Sequence, residues 1–139
     1  MLHRKLLETI SSHVELLDSA KRRGIDWSDT LQVYAVLHAL QVYAQAVIDY
    51  LLHTCAILGI SVETPIQCIY MLRQKKILND DNADQLKRLV RFRNIVVHEY
   101  GVINIDKVKR ILENRGYHQA MQIIQKIHQQ LQDKQLLDP

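Results

Sequence analysis

The sequence predicts an all-α protein, a helical bundle in one domain spanning residues 1–139 and organised around one long central helix. Three observations carry this. Apolar residues recur at spacings of three and four along every periodic stretch, and no stretch alternates with the period of two that a half-buried strand requires. Four glycines and two prolines are the only strong breakers in 139 residues, and they fall between or after the periodic stretches. The length suits a single core, and nothing reads as a repeat, a low-complexity run or a linker.

Taken in order, Leu6, Ile10, Val14 and Leu17 predict a first helix over 2–22 that closes at Gly24. Ser28 or Asp29 caps a second, which Val33, Leu37, Leu40, Ala44, Val47, Leu51, Cys55 and Leu58 extend to Gly59. Its flanks also carry Tyr34, Tyr43, Ile48, Tyr50, Leu52 and Ile57, so its apolar surface is wider than one stripe and a second subunit is one way to cover the remainder. Thr64 followed by Pro65 starts a short third helix to about Gln74. Asn79 or Asp80 caps a fourth, with Asp80 and Asp81 matching its N-terminal dipole. The chain restarts at Ile105 with Asn104 as cap and breaks at Gly116. A last helix carries Ala120, Ile123, Ile124, Ile127 and Leu131, and the polar tail after Gln132 is expected to fray.

A formal charge of +3 and a pI near 8.9 suit an anionic partner without the strongly basic signature of a DNA-coating protein. Cys55 and Cys68 are too few for a disulfide framework and sit in apolar helical contexts, which points to reduced thiols and the cytoplasm. No apolar signal region precedes the first helix, and Gln32, His38, Gln41, Gln45, Asp49 and His53 recur through the second, so no membrane segment is expected.

The chemistry concentrates in Arg91 to Tyr100, RFRNIVVHEY. On a helix, Leu86, Leu89, Val90, Val96 and Val97 share a face with Arg93 in its middle. A guanidinium stays charged, so such a position demands a partner, water or an anion. His98 follows, the side-chain type that titrates near neutrality, then Tyr100 before the breaker Gly101. Arg93 can neutralise a phosphate and the extra charge of a pentacovalent transition state, while His98 can move a proton to or from a ribose 2′-hydroxyl or a 5′-oxygen. That is phosphodiester chemistry without metal. Asn94, one turn before His98, either fixes its ring or faces solvent.

Arg93 and His98 differ by about 140° around an ideal helix, so their convergence needs local unwinding or a site shared between two subunits. Lys87, Arg88 and Arg91 supply a basic flank for RNA, in the absence of any interleaved aromatic motif. Asp49 and His53 share a face of the second helix and form a second-tier polar pair. Seven histidines show no HxxxH or CxxC spacing, so a metal site would have to be built from scattered residues and none is assigned. No Gly-rich phosphate loop or GxSxG elbow is present, and no cofactor is indicated.

Arg93-Asn94-Ile95-Val96-Val97-His98-Glu99-Tyr100 matches R-N-x3-H-x-Y, and with the long second helix, the Thr64-Pro65 start and the Ile105-Asp106 restart the chain resembles the HepT-like branch of the HEPN superfamily. The resemblance implies a homodimeric, metal-independent endoribonuclease with Arg93 and His98 in a cleft between subunits. It further implies a toxin held in check by a minimal, MntA-like nucleotidyltransferase antitoxin that transfers AMP to Tyr100. Two other readings compete: a non-catalytic module that binds a nucleotide or a nucleotidyltransferase, and a helical subunit of a larger assembly.

Overall fold

The computed structural model describes residues 1–98 and 104–139, without the side chains of residues 96–98. Six helices and no strand are present among them: α1 (Leu2–Arg23), α2 (Thr30–Ile57), α3 (Pro65–Gln74), α4 (Asp80–His98), α5 (Ile105–Glu113) and α6 (Tyr117–Asp133). The expected all-α bundle is therefore what forms, with α2 as its spine. Consecutive Ala46, Val47 and Ile48 are all buried, so α2 is enclosed on more than one side, and α1, α3, α4 and α6 of the same chain pack on it. By length and composition alone α2 would span a bilayer, yet more than half of its most apolar window is covered within the fold.

The helix ends follow local chemistry. Gly24 closes α1 at φ 81°, a left-handed conformation that L side chains resist. Asp29 caps α2 by accepting from the Leu31 amide, and Thr64 Oγ1 accepts from the Gln67 amide at 3.1 Å, with Pro65 in the first turn of α3. Asn79 Oδ1 accepts from Asn82 N at 2.7 Å at the start of α4, and the Asn104 side chain accepts from both Asp106 and Lys107 at the start of α5. Cys55 and Cys68 are free, buried thiols, as their apolar surroundings suggested.

α6 begins without a side-chain cap of its own, at Gly116. A residue of α2 intervenes there: the Tyr43 hydroxyl donates to the Tyr117 carbonyl and accepts from the Met121 amide at 3.1 Å. Those two groups are the partners of one helical rung, and the phenol sits between them. α6 is also stapled to α1 through Asp18, whose carboxylate accepts from the Tyr117 hydroxyl and lies 2.8 Å from His118 Nε2 and 3.4 Å from Arg115 Nε. Burial acts upward on Asp18, but the hydrogen bonds from Tyr117 and His118 and the charge of Arg115 outweigh it and hold the carboxyl at about 2.

The tail corrects an expectation. Instead of fraying after Gln132, the chain turns back: Leu136 N donates to Leu131 O at 2.8 Å, and Leu136 and Leu137 pack against the core. Asp138 then accepts from the Leu2 amide at 2.6 Å and the His3 amide at 3.2 Å. The first amides of a helix need acceptors, and Met1 offers α1 no side-chain cap, so a carboxylate from the far end of the sequence takes that place.

Candidate active site

Arg93 sits on α4 among the anchors that hold this helix to the core. Leu86 and Val90 are fully buried and Leu89 partly so, and the face they define carries Arg93 into a half-buried position against α2. Its Nη1 donates to Gln45 Oε1 at 3.0 Å. Gln45 Nε2 in turn donates to Asp49 Oδ1 at 2.8 Å, one turn further along α2. The amide orientation is imposed from both sides, because guanidinium can only donate and an ionised carboxylate can only accept. Arg93 Nε is buried with no hydrogen-bond partner among the described residues.

The electrostatics of this arrangement are one-sided. Among the described residues, Gln45 satisfies one donor of Arg93 without cancelling its charge, and the exposed Asp49 is reached through the amide. A half-buried guanidinium keeps its charge and can attract an anion, although its unmet Nε is itself enclosed.

A cavity of about 460 Å³ lies between α2, α4, α5 and α6, and Arg93, Gln45 and Asp49 are not among the residues that line it. Tyr43, Phe92 and Tyr117 give it aromatic walls, while Arg88, Arg91 and Lys107 contribute positive charge. Arg88 and Arg91 are exposed, as expected of a basic flank. Lys87 is half-buried and does not line the cavity, and Lys107 of α5 takes the place that the sequence reading gave it. Nothing in the sequence ties Lys107 to α4, since α5 returns to this cavity only through the fold.

Asn94 is exposed. His98 closes the described part of α4, but its side chain, like all of Tyr100, lies outside the described residues, so the meeting of Arg93 with His98 and the position of the tyrosine are not part of the geometry. The paired role foreseen for Asp49 and His53 is corrected. Asp49 joins the Arg93 relay through Gln45, whereas His53 turns to Asp138, its Nε2 3.1 Å from Oδ2. A spacing of four put them on one face of α2, but Asp49 bonds Gln45 one turn back on the same helix and His53 bonds Asp138 off it. Gln45 was missed as a site residue; its signal was its place one further turn back on that same face.

The fold defines an all-helical bundle that holds an arginine half-buried on its fourth helix and carries a basic, aromatic-lined cavity elsewhere on that helix. Comparison with known proteins narrows this. The profile of the family described as "Ribonuclease HepT-like" matches residues 6–133, and the chain belongs to that family. A putative RNase of Archaeoglobus fulgidus is 28% identical over 85 residues, which cover 61% of this chain and 64% of that protein, less than two thirds of its length. Among solved structures, a toxin–antitoxin complex with AMP-PNP superimposes at a TM-score of 0.81 with 22% identity, over 91% of this chain and 97% of that one. A tri-AMPylated Shewanella oneidensis HEPN toxin in complex with an MNT antitoxin gives 0.77 with 22% identity, over 89% and 96%. YutE of Bacillus subtilis, a cytosolic protein of unknown function, gives 0.77 with 14% identity, over 98% and 95%. The fold is that of HEPN toxins, as the motif led one to expect.

Proposed function

We propose that this chain is a cytoplasmic, metal-independent endoribonuclease, the toxin of a toxin–antitoxin pair, acting as a single-domain homodimer whose two copies of Arg93 and His98 face one RNA phosphate. The observation that carries the reading is Arg93: a half-buried cation in the family's motif position, paired with a neutral amide and with a buried donor to spare. Arg93 binds the phosphate and stabilises the charge that accumulates as the 2′-oxygen attacks phosphorus and the bond to the 5′-oxygen breaks. His98 takes the proton from the 2′-hydroxyl or returns one to the 5′-oxygen, and two copies across a dimer supply both roles. Arg88 and Arg91 hold flanking phosphates, with Lys107 in the place first given to Lys87. Sequence preference in the RNA is coarse.

Control acts at Tyr100. A minimal nucleotidyltransferase, MntA-like, joins the tyrosine oxygen to the α-phosphorus of ATP; pyrophosphate leaves and the phenolic proton goes to solvent. The new phosphodiester puts negative charge and an adenosine where RNA would bind. Support comes from the family and from the tri-AMPylated state of a structural neighbour of the same fold.

Induction in cells tests this. The wild-type chain should arrest growth and degrade tRNA or mRNA, and both Arg93→Ala and His98→Ala should abolish each effect. Tyr100→Phe should remain toxic when a cognate nucleotidyltransferase is co-expressed. A purified wild-type chain that leaves RNA intact, with the wild-type, Arg93→Ala and His98→Ala forms all harmless in cells, would instead make it a non-catalytic binding module.

A further inference from the structure

Two turns along α2 from Gln45, roughly 12 Å on the helix rise, a second polar centre forms from residues that the sequence scatters. We propose that His3, His53 and Asp138 bind one divalent transition-metal ion, with zinc the best fit, at the junction of α1, α2 and the returning tail. His3 Nδ1 lies 3.2 Å from Asp138 Oδ1, and His53 Nε2 lies 3.1 Å from Asp138 Oδ2. The three ligand atoms all fall within 4.8 Å of one another. Ligands bound at about 2.0–2.1 Å to a tetrahedral ion stand roughly 3.3 Å apart. Each histidine meets its own carboxylate oxygen at close to that distance, so Asp138 would bind through both oxygens or the 4.8 Å spread would close by a small side-chain shift.

The orientation of His3 is what distinguishes this cluster from an ordinary hydrogen-bonded trio. Thr54 Oγ1 donates its hydrogen to the Tyr50 carbonyl at 2.8 Å, so towards His3 Nε2, 3.1 Å away, it can only accept. The Nε2 of His3 therefore carries a hydrogen, and in the neutral ring the lone pair sits on Nδ1 and faces a carboxylate oxygen. Two acceptors at that distance need an electrophile between them. A metal ion would serve His3, His53 and Asp138 together; the alternative is a second hydrogen on His3, at Nδ1, with His53 donating from Nε2. The hydrogen bond from the far ring nitrogen to a second residue is also how protein zinc ligands are held.

The remaining contacts leave room for the ion. Asp138 Oδ1 accepts from the Met1 amino group at 2.6 Å and from the His3 amide, and Oδ2 accepts from the Leu2 amide, so Oδ2 keeps a lone pair towards His53. His3 is 1% exposed, Asp138 12% and His53 20%, a graded burial that shields the ion without sealing it. A cavity of about 370 Å³, lined by His3, Arg4, Lys5, Glu8, His128 and Asp138 among others, reaches two of the three ligands from outside and offers an access route and a place for a fourth, water ligand. The site joins the first turn of α1 to the tail and stands apart from Arg93, so its role is to lock the tail in place.

Titration of the full chain, freed of metal and without a histidine tag, with Zn²⁺ in a calorimeter and with Co²⁺ by visible absorption tests the proposal. One equivalent per chain should bind, Co²⁺ should give the intense bands of a four-coordinate site, and melting temperature should rise with added Zn²⁺. His53→Ala and Asp138→Asn should each weaken Zn²⁺ binding by about 100-fold or more, and Thr54→Val by about 10-fold through loss of the hydrogen bond behind His3. His53 is partly exposed, so its replacement leaves the core intact. Absence of saturable Zn²⁺ or Co²⁺ uptake by the wild-type chain, or undiminished uptake by folded His53→Ala, overturns it and leaves a protonated His3 paired with Asp138.

Discussion

Arg93 Nη1 and Gln45 Oε1 lie 3.0 Å apart, and this contact fixes a cation of α4 against α2 without neutralising it. A carboxylate in place of the amide would hold the guanidinium as well and remove its capacity for another anion. Gln45→Glu should therefore lower RNA cleavage by about tenfold to a hundredfold, the worth of one charged hydrogen bond, while the fold persists. Single-turnover cleavage beside a urea melt measures both, and a fully active Gln45→Glu chain would remove Arg93 from the reaction.

Gln45→Leu separates holding from charge. It leaves the Arg93 donors unmet in a half-buried place, and stability should fall by about 1–3 kcal/mol in urea denaturation.

Arg88 and Arg91 line the cavity and are exposed. If each meets one phosphate of a single-stranded RNA, Arg88→Ala and Arg91→Ala should each flatten the plot of log affinity against log salt by about 0.7. Fluorescence anisotropy at several salt concentrations gives the slope. Unchanged slopes would place the RNA elsewhere.

Asp18 is held at about 2 in the folded chain, below the ordinary carboxylate value near 4. A carboxyl whose folded value is depressed stabilises the fold fully above its unfolded value and loses that contribution as pH falls towards the folded one. The wild-type chain should thus lose stability between about pH 4 and pH 2 through the α1–α6 staple. Asp18→Asn should be less stable at neutral pH and show a shallower decline over that interval, as followed by thermal melts.

Leu86 is fully buried beneath the helix that carries Arg93. Leu86→Ala should cost about 2–5 kcal/mol, the range for a leucine truncated in a packed core. Asn104→Ala, which removes the acceptor for two amides at the start of α5, should cost about 1 kcal/mol. Chemical denaturation distinguishes the two magnitudes.

The helices were legible because their caps and periods are local. Thr64 with Pro65, Asn104 and Gly24 act within four residues of themselves, so their consequences can be read without the fold. The half-buried arginine was legible for the same reason, since its neighbours at three and four residues are apolar. Its partner was not, because Gln45 is 48 residues away and an amide on a polar stripe looks like solvent-facing surface. The tail was misjudged on the same ground. Asp138 reads as a polar residue in a fraying end until the unsatisfied amides of Leu2 and His3, brought beside it by the packing of α1 against α6, give it work. Lys107 and the aromatic cavity likewise exist only once α5 and α6 return to α4.

The phenol of Tyr43 has a bearing on selectivity. Its hydroxyl is committed to the main chain of α6, on Tyr117 and Met121, so this lining residue adds an aromatic surface to the cavity with its polar atom already engaged. A planar ring lying there gains contact area and no discrimination. Were RNA to enter this cavity, as the proposed function would have it, choice between one nucleobase and another would fall to Gln85 and Gln119, lining amides that each carry a donor and an acceptor.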